Sequence, residues 1–498
     1  MIRPVSRRFA LMGGAALALC GPAHATAPNQ SLRPVSRGDD LMALTLGGVE
    51  SLVAKYDLSG EVALAVADVD SGLVLEDLNP TIGLPPASVT KSVTALYALA
   101  RLGGDYRFQT RLLVRGALEN GILSGDLILA GGGDPTLDTN GLATLAANLK
   151  AAGLREVRGR FIVDDGALPY VRTIDEEQLD HVGYSPAVSG LALNFNRVHF
   201  EWRRESGNYR VSMDARTDRY RPEVSMAQMR VADRSLPVYT YADRDGVDSW
   251  TVARGALGNG GARWLPVRYP GAYAGDVFRT LARSQGIVLN AAEIRPGAAS
   301  GARTLVSLES EPLTEILRGM LKWSTNITAE MVGLAATGAG GSRPVSLSAS
   351  AAAMSDWAAL ALGMTGTRLV DHSGLGVASR MTARDMALAL TRVRKDDLLR
   401  PLLNRIALRD SQGRTMSNHP IKVDAKTGTL FFVSCLAGYM TARDGTELAF
   451  AILTADTDRR AQAVASREER PAGSRGWNGT SKRLQQALIE RWGLLYGS

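Results

Sequence analysis

Two hairpin patterns stand at opposite ends of this 498-residue chain, each beside a helical pattern. At the front, EVALAVADVDSGLVLEDL (61–78) alternates around Asp70-Ser71-Gly72, which predicts a β-hairpin. A helix is predicted after Pro86, with Val89, Val93, Leu96, Tyr97 and Ala100 on its apolar face. At the back, EPLTEILRGMLKW (311–323) places Leu313, Ile316, Leu317, Met320 and Leu321 on one face. KTGTLFFVSCLAGYMTARDGTELAFAILTA (426–455) then reads as two β-runs joined by Arg443-Asp444-Gly445, and SKRLQQALIERWGLL (481–495) as an amphipathic helix. After Gly103-Gly104 the texture changes to short strands, such as SGDLILAGGGDPTL (124–137) and LALNFNRVHFEW (191–202), between polar, Gly-rich and Arg-rich segments. The pattern predicts one domain, residues 30–104 and 301–498, interrupted by a β-rich insertion at 105–300. The Ala/Gly/Ser stretch 336–353 and the Arg/Gly/Pro stretch 467–479 read as loops.

A chain this long exceeds one small core, so two or three domains are expected. Its first 25 residues read as an export leader: Arg3, Arg7 and Arg8, an apolar run from Phe9 to Cys20, then the small-residue site Ala23-His24-Ala25. The adjacent Arg7-Arg8 keeps twin-arginine export open, although Phe9 follows directly; Leu19 before Cys20 is bulky for a lipoprotein signal. A periplasmic destination is expected. No later stretch reaches ~18 apolar residues. Removing 1–25 takes away three arginines and no acid, so the net charge of +7 falls to +4. That is not the basic stripe of a nucleic-acid binder. It also removes Cys20 and leaves Cys435 without a partner for a disulfide. His24, His181, His199, His372 and His419 are scattered without metal-ligand spacing.

Three short stretches carry chemistry. In PPASVTKSVTALYALARLG (85–103), Ser88 and Lys91 are three apart at a helix start, so they share a face, and the free N–H groups there favour developing negative charge on the serine. A lysine held among apolar neighbours loses its proton near neutral pH and can act as a base. An N-cap serine followed by a solvated lysine explains the same residues. Lys426-Thr427-Gly428 opens a β-run: a cation and a hydroxyl suit a carboxylate, and the bare glycine admits a substrate backbone. A serine and an asparagine two apart occur at Ser206/Asn208 and at Ser324/Asn326. The first pair lies in RRESGNYR and reads as a solvated turn. The second lies between two helical patterns and is the better candidate. Its asparagine can donate to a carbonyl and accept from an amide, and Ser324 can relay a proton between Lys91 and a leaving amine.

In the order S-x-x-K, S-x-N, K-T-G, this exported chain resembles the penicillin-recognising serine acyl-transferases. More narrowly, it resembles the class C low-molecular-mass (type-4) penicillin-binding proteins, D-alanyl-D-alanine carboxypeptidases and endopeptidases. The narrower likeness rests on the 233 positions between Lys91 and Ser324, which β-lactamases span much more briefly. It rests also on Gly131-Gly132-Gly133-Asp134-Pro135-Thr136-Leu137, Leu193-Asn194-Phe195-Asn196, Asp371-His372-Ser373-Gly374-Leu375 and the run from Ala425 to Tyr439. Two positions depart from it: His372 stands where glycine is expected, and Cys435 where a small serine-like residue is expected, most simply as a buried hydrophobe. The triple glycine lacks a following Gly-Lys-Ser/Thr and reads as a turn.

The resemblance implies an α/β (α+β) fold: an antiparallel sheet flanked by helices with an all-helical cluster, interrupted by two smaller β-rich domains. It implies Ser88 as nucleophile, Lys91 as base and Ser324 as the second hydroxyl. It assigns substrate binding to Asn326, Lys426, Thr427, Gly428 and Thr429, with the oxyanion between the backbone N–H groups of Ser88 and Thr429. No metal or organic cofactor is called for. Expected partners are peptidoglycan stem peptides and β-lactam inhibitors, with no nucleic acid and at most peripheral membrane contact; the helix around Ile489 and Trp492 could lie on a membrane surface but reads better as packed on the catalytic sheet. The alternatives are a serine β-lactamase, set against by the long insertion, and a non-catalytic peptidoglycan-binding scaffold, set against by the intact motifs.

Overall fold

The computed structural model describes residues 46–341, 343–410 and 412–497. The expected leader lies outside them. The two ends of the described chain share one six-stranded antiparallel sheet, in the order 404–406, 422–430, 433–441, 447–455, 61–68, 74–78. The front strand Glu61–Asp68 pairs with Glu447–Ala455 along its whole length, from Glu61 opposite Ala455 to Asp68 opposite Leu448.

Alternation predicts a half-buried front strand, but its six central residues are all buried. It is an interior strand with both faces covered. On one face, Ala63, Ala65, Ala437, Ala449 and Ala451 share a core with helix residues such as Val93, Tyr97, Met386 and Leu390. On the other, Leu64, Val66, Phe450 and Ile452 share a core with Leu484, Leu488, Ile489 and Trp492. Small residues on the first face let helices approach closely; larger ones fill the second. The Ser474–Leu495 helix therefore buries Ile489 and Trp492 against the sheet, which leaves them unavailable to a membrane surface. No helix among the described residues is long and apolar enough to cross a membrane.

The predicted helix after Pro86 begins with a 3-10 turn, Ala87–Val89, and runs as α-helix over Thr90–Leu102. Val89, Val93, Leu96 and Tyr97 are buried as expected, whereas Ala100 is exposed. Thr90, Lys91, Ser92 and Thr94 are buried too, so the first turns are enclosed all round rather than on one face. In the Leu313–Trp323 helix all five predicted apolar positions are buried. The stretches read as loops are shorter than composition suggests. Helices Asn326–Ala339 and Leu347–Leu362 take both ends of 336–353, because alanine is the best helix former and Ser346 caps the second helix by accepting from Ala349 N. Similarly, 467–479 is helical from Ser474 onward.

Between the motifs lies a second six-stranded sheet, in the order 292–294, 161–164, 122–130, 109–119, 303–309, with 156–157 beside 122–130. Two three-stranded sheets accompany it: 239–244, 247–253, 227–232 and 260–266, 197–205, 208–214. The Arg303–Glu309 strand pairs with Gln109–Glu119, so the division expected at 300 falls one strand too early. Two helices, Thr139–Ala151 and Pro270–Ser284, interrupt the β-rich texture. Ser206 and Gly207, with φ of 47° and 86°, form the turn between strands 197–205 and 208–214, far from any role for Asn208 in the site. The triple glycine is not itself the turn expected, which falls at Pro135–Thr136, but an irregular segment under tight packing: a Cβ on Gly132 would lie 2.1 Å from Gln109 O.

Candidate active site

Ser88 occupies the 3-10 turn, two residues before the Thr90–Leu102 helix. With Ser324, Asn326 and Thr429 it lines a cavity of about 950 Å³. Lys91 lies one turn on, fully buried. Its Nζ donates to Ser88 Oγ at 2.9 Å, to Asn326 Oδ1 at 2.8 Å and to Ser373 O at 2.7 Å. Three acceptors match the three hydrogens of an ammonium. Burial pushes the Lys91 amine down to about 7; the charge of Lys426 pushes the same way, while Asp371 and Glu330 oppose. Near neutrality the group therefore passes between donor and base beside a hydroxyl.

The middle motif forms the junction between two helices. Ser324 ends the Leu313–Trp323 helix in a left-handed conformation, φ 57°, and Asn326 opens the next helix. Their duties divide differently from the expected relay. Ser324 Oγ accepts from Lys426 Nζ at 3.1 Å, and Asn326 is the residue that bonds Lys91. Asn326 Nδ2 also donates to Tyr184 O at 3.0 Å, tying the centre to a segment far away in the sequence.

The third motif does not open its strand. The strand begins at Lys422, and the three-residue strand Asn404–Ile406 pairs only with Val423, Asp424 and Ala425. From Lys426 to Leu430 this strand is the sheet edge among the described residues. Lys426 is buried, its amine pushed down to about 8 by desolvation, and it also donates to Thr427 O at 2.9 Å. Thr427 and Thr429 are exposed. Gly428 lies so close to the nucleophile turn that a Cβ would meet Pro86 O at 2.8 Å and Ser88 N at 3.1 Å. Any side chain there would displace the Ser88 backbone.

Sequence reasoning missed the layer beneath these groups. The loop from Asp371 to Gly376 presents Ser373 O to Lys91, and Glu330 holds that loop from the Asn326–Ala339 helix. Glu330 Oε2 accepts from His372 N at 3.0 Å and Oε1 from Ser373 N at 2.9 Å. Asp371 closes the loop on itself, accepting from Gly374 N at 2.8 Å and Gly376 N at 2.6 Å. Burial, then the neighbouring Asp371, pushes the Glu330 carboxyl up to about 8; burial raises Asp371 as well. The signal available for Glu330 was its place one helical turn after Asn326, a charge in an otherwise apolar run.

The two departures from the family pattern are structural. His372 is fully buried, and its ring fills the space a side chain at Gly333 would need: a Cβ there would lie 2.2 Å from the ring. Its Nε2 bonds Ser350 Oγ at 2.8 Å, its carbonyl accepts from Thr94 Oγ1 at 2.7 Å, and burial pushes the imidazole down to about 3. Cys435 lies under the nucleophile turn, its Sγ 3.4 Å from Pro85 O, with the thiol pushed up to about 12 by burial. It is a small core residue, not a nucleophile.

A serine and a desolvated lysine on one turn, an asparagine bridging to the lysine, and a cationic sheet edge beside the serine together have the geometry that serine–lysine acyl transfer requires. The D-Ala-D-Ala carboxypeptidase 3 (S13) family model matches residues 46–471, and the chain belongs to that family of serine D-Ala-D-Ala carboxypeptidases. Similar proteins include the D-alanyl-D-alanine carboxypeptidase DacB of Haemophilus influenzae, 25% identical over 426 residues, which are 81% of this chain and 87% of that protein. The D-alanyl-D-alanine carboxypeptidase of Actinomadura sp. (strain R39) is 28% identical over 445 residues, 81% of this chain and 80% of the other. The fold matches the crystal structure of penicillin binding protein 4 (dacB) from Haemophilus influenzae at a TM-score of 0.70 and 22% identity, covering 89% of this chain and 99% of that one. The fold class and the likeness to the type-4 penicillin-binding proteins expected from the sequence are thereby borne out.

Proposed function

We propose that this chain removes the terminal D-Ala from peptidoglycan stem peptides, and opens D-alanyl cross-links, through an acyl-enzyme on Ser88. The observation that carries this reading is the contact between Ser88 Oγ and the fully buried Lys91 Nζ at 2.9 Å, with the amine held near 7. Neutral Lys91 takes the hydroxyl proton as Ser88 Oγ attacks the penultimate D-Ala carbonyl carbon. The resulting oxyanion is met by the backbone N–H groups of Ser88 and Thr429. Lys426 and Thr427, with Ser324 on Lys426, hold the terminal carboxylate; Gly428, whose missing side chain makes room for the Ser88 turn rather than for the substrate, seats that turn against the sheet edge where the peptide docks. Asn326 orients Lys91 and the acyl-side amide. The C–N bond breaks as the Lys91 ammonium returns its proton to the leaving amine, and water then hydrolyses the ester. A β-lactam enters by the same route and acylates Ser88.

The wider organisation follows from this reading. Residues 48–104 and 311–497 make the acyl-transfer domain, and residues 105–310 are inserted lobes that border its cleft. The 1–25 leader exports the chain to the periplasm, where its substrate lies. Mass analysis of muropeptides incubated with the mature protein tests the proposal. D-Ala release from pentapeptides supports carboxypeptidase action, and conversion of cross-linked dimers to monomers supports endopeptidase action. Absence of both, with Ser88 intact, would overturn it. Fast loss of a fluorescent penicillin label from Ser88 would instead indicate a β-lactamase.

A further inference from the structure

The side-chain amide of Asn326 has two orientations, and only one of them serves the reaction above. As placed, Oδ1 accepts from Lys91 Nζ at 2.8 Å and Nδ2 donates to Tyr184 O at 3.0 Å. Turned over, the amide would set its oxygen against the Tyr184 carbonyl and an N–H against Lys91. A charged Lys91 resists that by itself, because it has only donors to offer. The neutral amine, which takes the Ser88 proton, does not resist: a reversed Asn326 would donate into the lone pair the reaction needs. With the Lys91 amine pushed down to about 7, that form is well populated near neutrality. The bond to the Tyr184 carbonyl is then the contact that distinguishes the two orientations.

That carbonyl comes from the inserted lobes. Residues 171–188 form a loop closed at its base by Val171 and Val188, whose N–H groups donate to each other's carbonyls at 2.9 and 2.8 Å. The loop contains no helix and no longer strand, so its shape rests largely on side-chain bonds. Arg268, just past the Gly260–Pro266 strand, is 2% exposed and reaches into it. Its Nη1 donates to Arg172 O at 3.1 Å and Ser185 O at 2.8 Å, and its Nη2 to Asp180 O at 2.8 Å. Asp248 Oδ2 in turn accepts from Arg268 N at 2.9 Å, which anchors the arginine to the Val247–Ala253 strand. Ser185 is the neighbour of Tyr184, so the guanidinium fixes the chain one residue from the carbonyl that orients Asn326. Three charge-assisted bonds from one rigid fork, to both limbs and the middle of a loop, are what arginine supplies and lysine, a point charge, does not.

We propose that Arg268 is a positioning residue for acylation: by pinning the 171–188 loop it aims the Tyr184 carbonyl at Asn326 and keeps that amide from capping Lys91. This rests on the proposed function, in which Lys91 is the base. It gives the inserted lobes a part in the chemistry of a centre whose reacting groups all belong to the other domain.

The test is a double-mutant cycle in the full mature chain, read by the rate of labelling with a fluorescent penicillin across a range of pH. Arg268→Gln should slow acylation about 10- to 100-fold at neutral pH. Because a reversed amide favours the neutral amine, the acid limb of the rate should also move to lower pH, by about half a unit to one unit. Lys426, Asp371 and Glu330, the charges that act on Lys91, are untouched by the change. Arg268→Lys should fall between the parent and the Gln variant, since charge remains but the fork is lost. In an Asn326→Ala background, which has no amide to orient, Arg268→Gln should change the rate by less than about twofold. Equal slowing in both backgrounds, or an acid limb that stays in place, overturns the proposal. Mere loosening of the lobes would slow both backgrounds alike and leave the titration of Lys91 where it was. If Arg268→Gln does not fold, as judged by circular dichroism, Arg268→Lys takes its place in the cycle under the same two criteria. A parent that takes no label faults the Ser88 reading, and the proposal falls with it; a labelled parent with additive losses faults Arg268 alone.

Discussion

The floor and the outer wall of the cleft are built on opposite principles. On the floor, Lys91 has an acceptor for each hydrogen, Glu330 and Asp371 each receive two backbone N–H groups, and His372 is tied through ring and carbonyl. On the wall, no strand among the described residues pairs with the outer edge from Lys426 to Leu430, and Thr427 and Thr429 are exposed. Groups that perform chemistry must be held before the substrate arrives, so the protein satisfies them itself. Groups that recognise a substrate must keep a bonding position open, so the protein leaves them incomplete. Changes to the floor should appear chiefly in the rate of acylation, and changes to the wall chiefly in how tightly a peptide is held.

The largest effect should come from the reacting pair. Ser88→Ala should abolish penicillin labelling, and Lys91→Met should slow acylation by about 10³-fold or more, since base and nucleophile act as one unit; stopped-flow labelling at matched folded concentration measures both. If Lys91→Met acylates at near the parent rate, the floor does not work as described. Next is Glu330→Gln, whose amide can accept from one N–H but turns a donor toward the other. It should lower the acylation rate by about 10- to 100-fold, with little change in peptide affinity. A loss confined to affinity would erase the distinction between floor and wall.

The pH profile sharpens the same division. Lys91 must be neutral to accept a proton, so acylation should fall about tenfold per pH unit below about 7. Lys426 must be charged to hold a carboxylate, so the apparent KM should rise as pH passes about 8, its value in the free enzyme. A profile whose two limbs both lie in the rate constant would contradict the assignment.

Smaller effects belong to packing. Gly333→Ala drives a methyl into the His372 ring and should cost about 1–3 kcal/mol of stability. Gly333→Ala with His372→Gly should recover part of that loss, a coupling that denaturant titration of the double-mutant cycle can read. Additive losses would mean the two positions are not one steric unit. Smallest is Cys435→Ser, which keeps a donor near Pro85 O and should cost about 1 kcal/mol or less. Penicillin labelling should persist, because the thiol takes no part.

Local signals made much of the floor legible. Ser88 and Lys91 meet because they are one turn apart, and an apolar helix around them foretold a depressed amine. The pairing of the two terminal hairpin patterns was legible as an interrupted unit, and the Leu313–Trp323 face was read residue for residue. What escaped depends on long-range packing. Burial of the six residues Val62–Ala67 on both faces arises because a second core, built around Trp492, covers the far face of their strand. The end of the 326–339 helix and the start of the 347–362 helix were obscured by small residues that mean loop in one context and close helix packing in another. Leu142, Leu145, Ala146 and Leu149 do follow helical spacing in Thr139–Ala151, but the β-rich surroundings masked it. Arg268 was invisible, since only folding gathers the carbonyls of Arg172, Asp180 and Ser185 around it.

The short strand Asn404–Ile406 has one last consequence. By occupying Val423 to Ala425 it works as a stopper, converting an open rail of backbone donors and acceptors into a socket five residues long, from Lys426 to Leu430. A guest strand cannot slide past that plug. Its register against Ser88 is set by a host segment just three residues in length, and lengthening that segment by one or two residues would cap the socket without touching a reacting group.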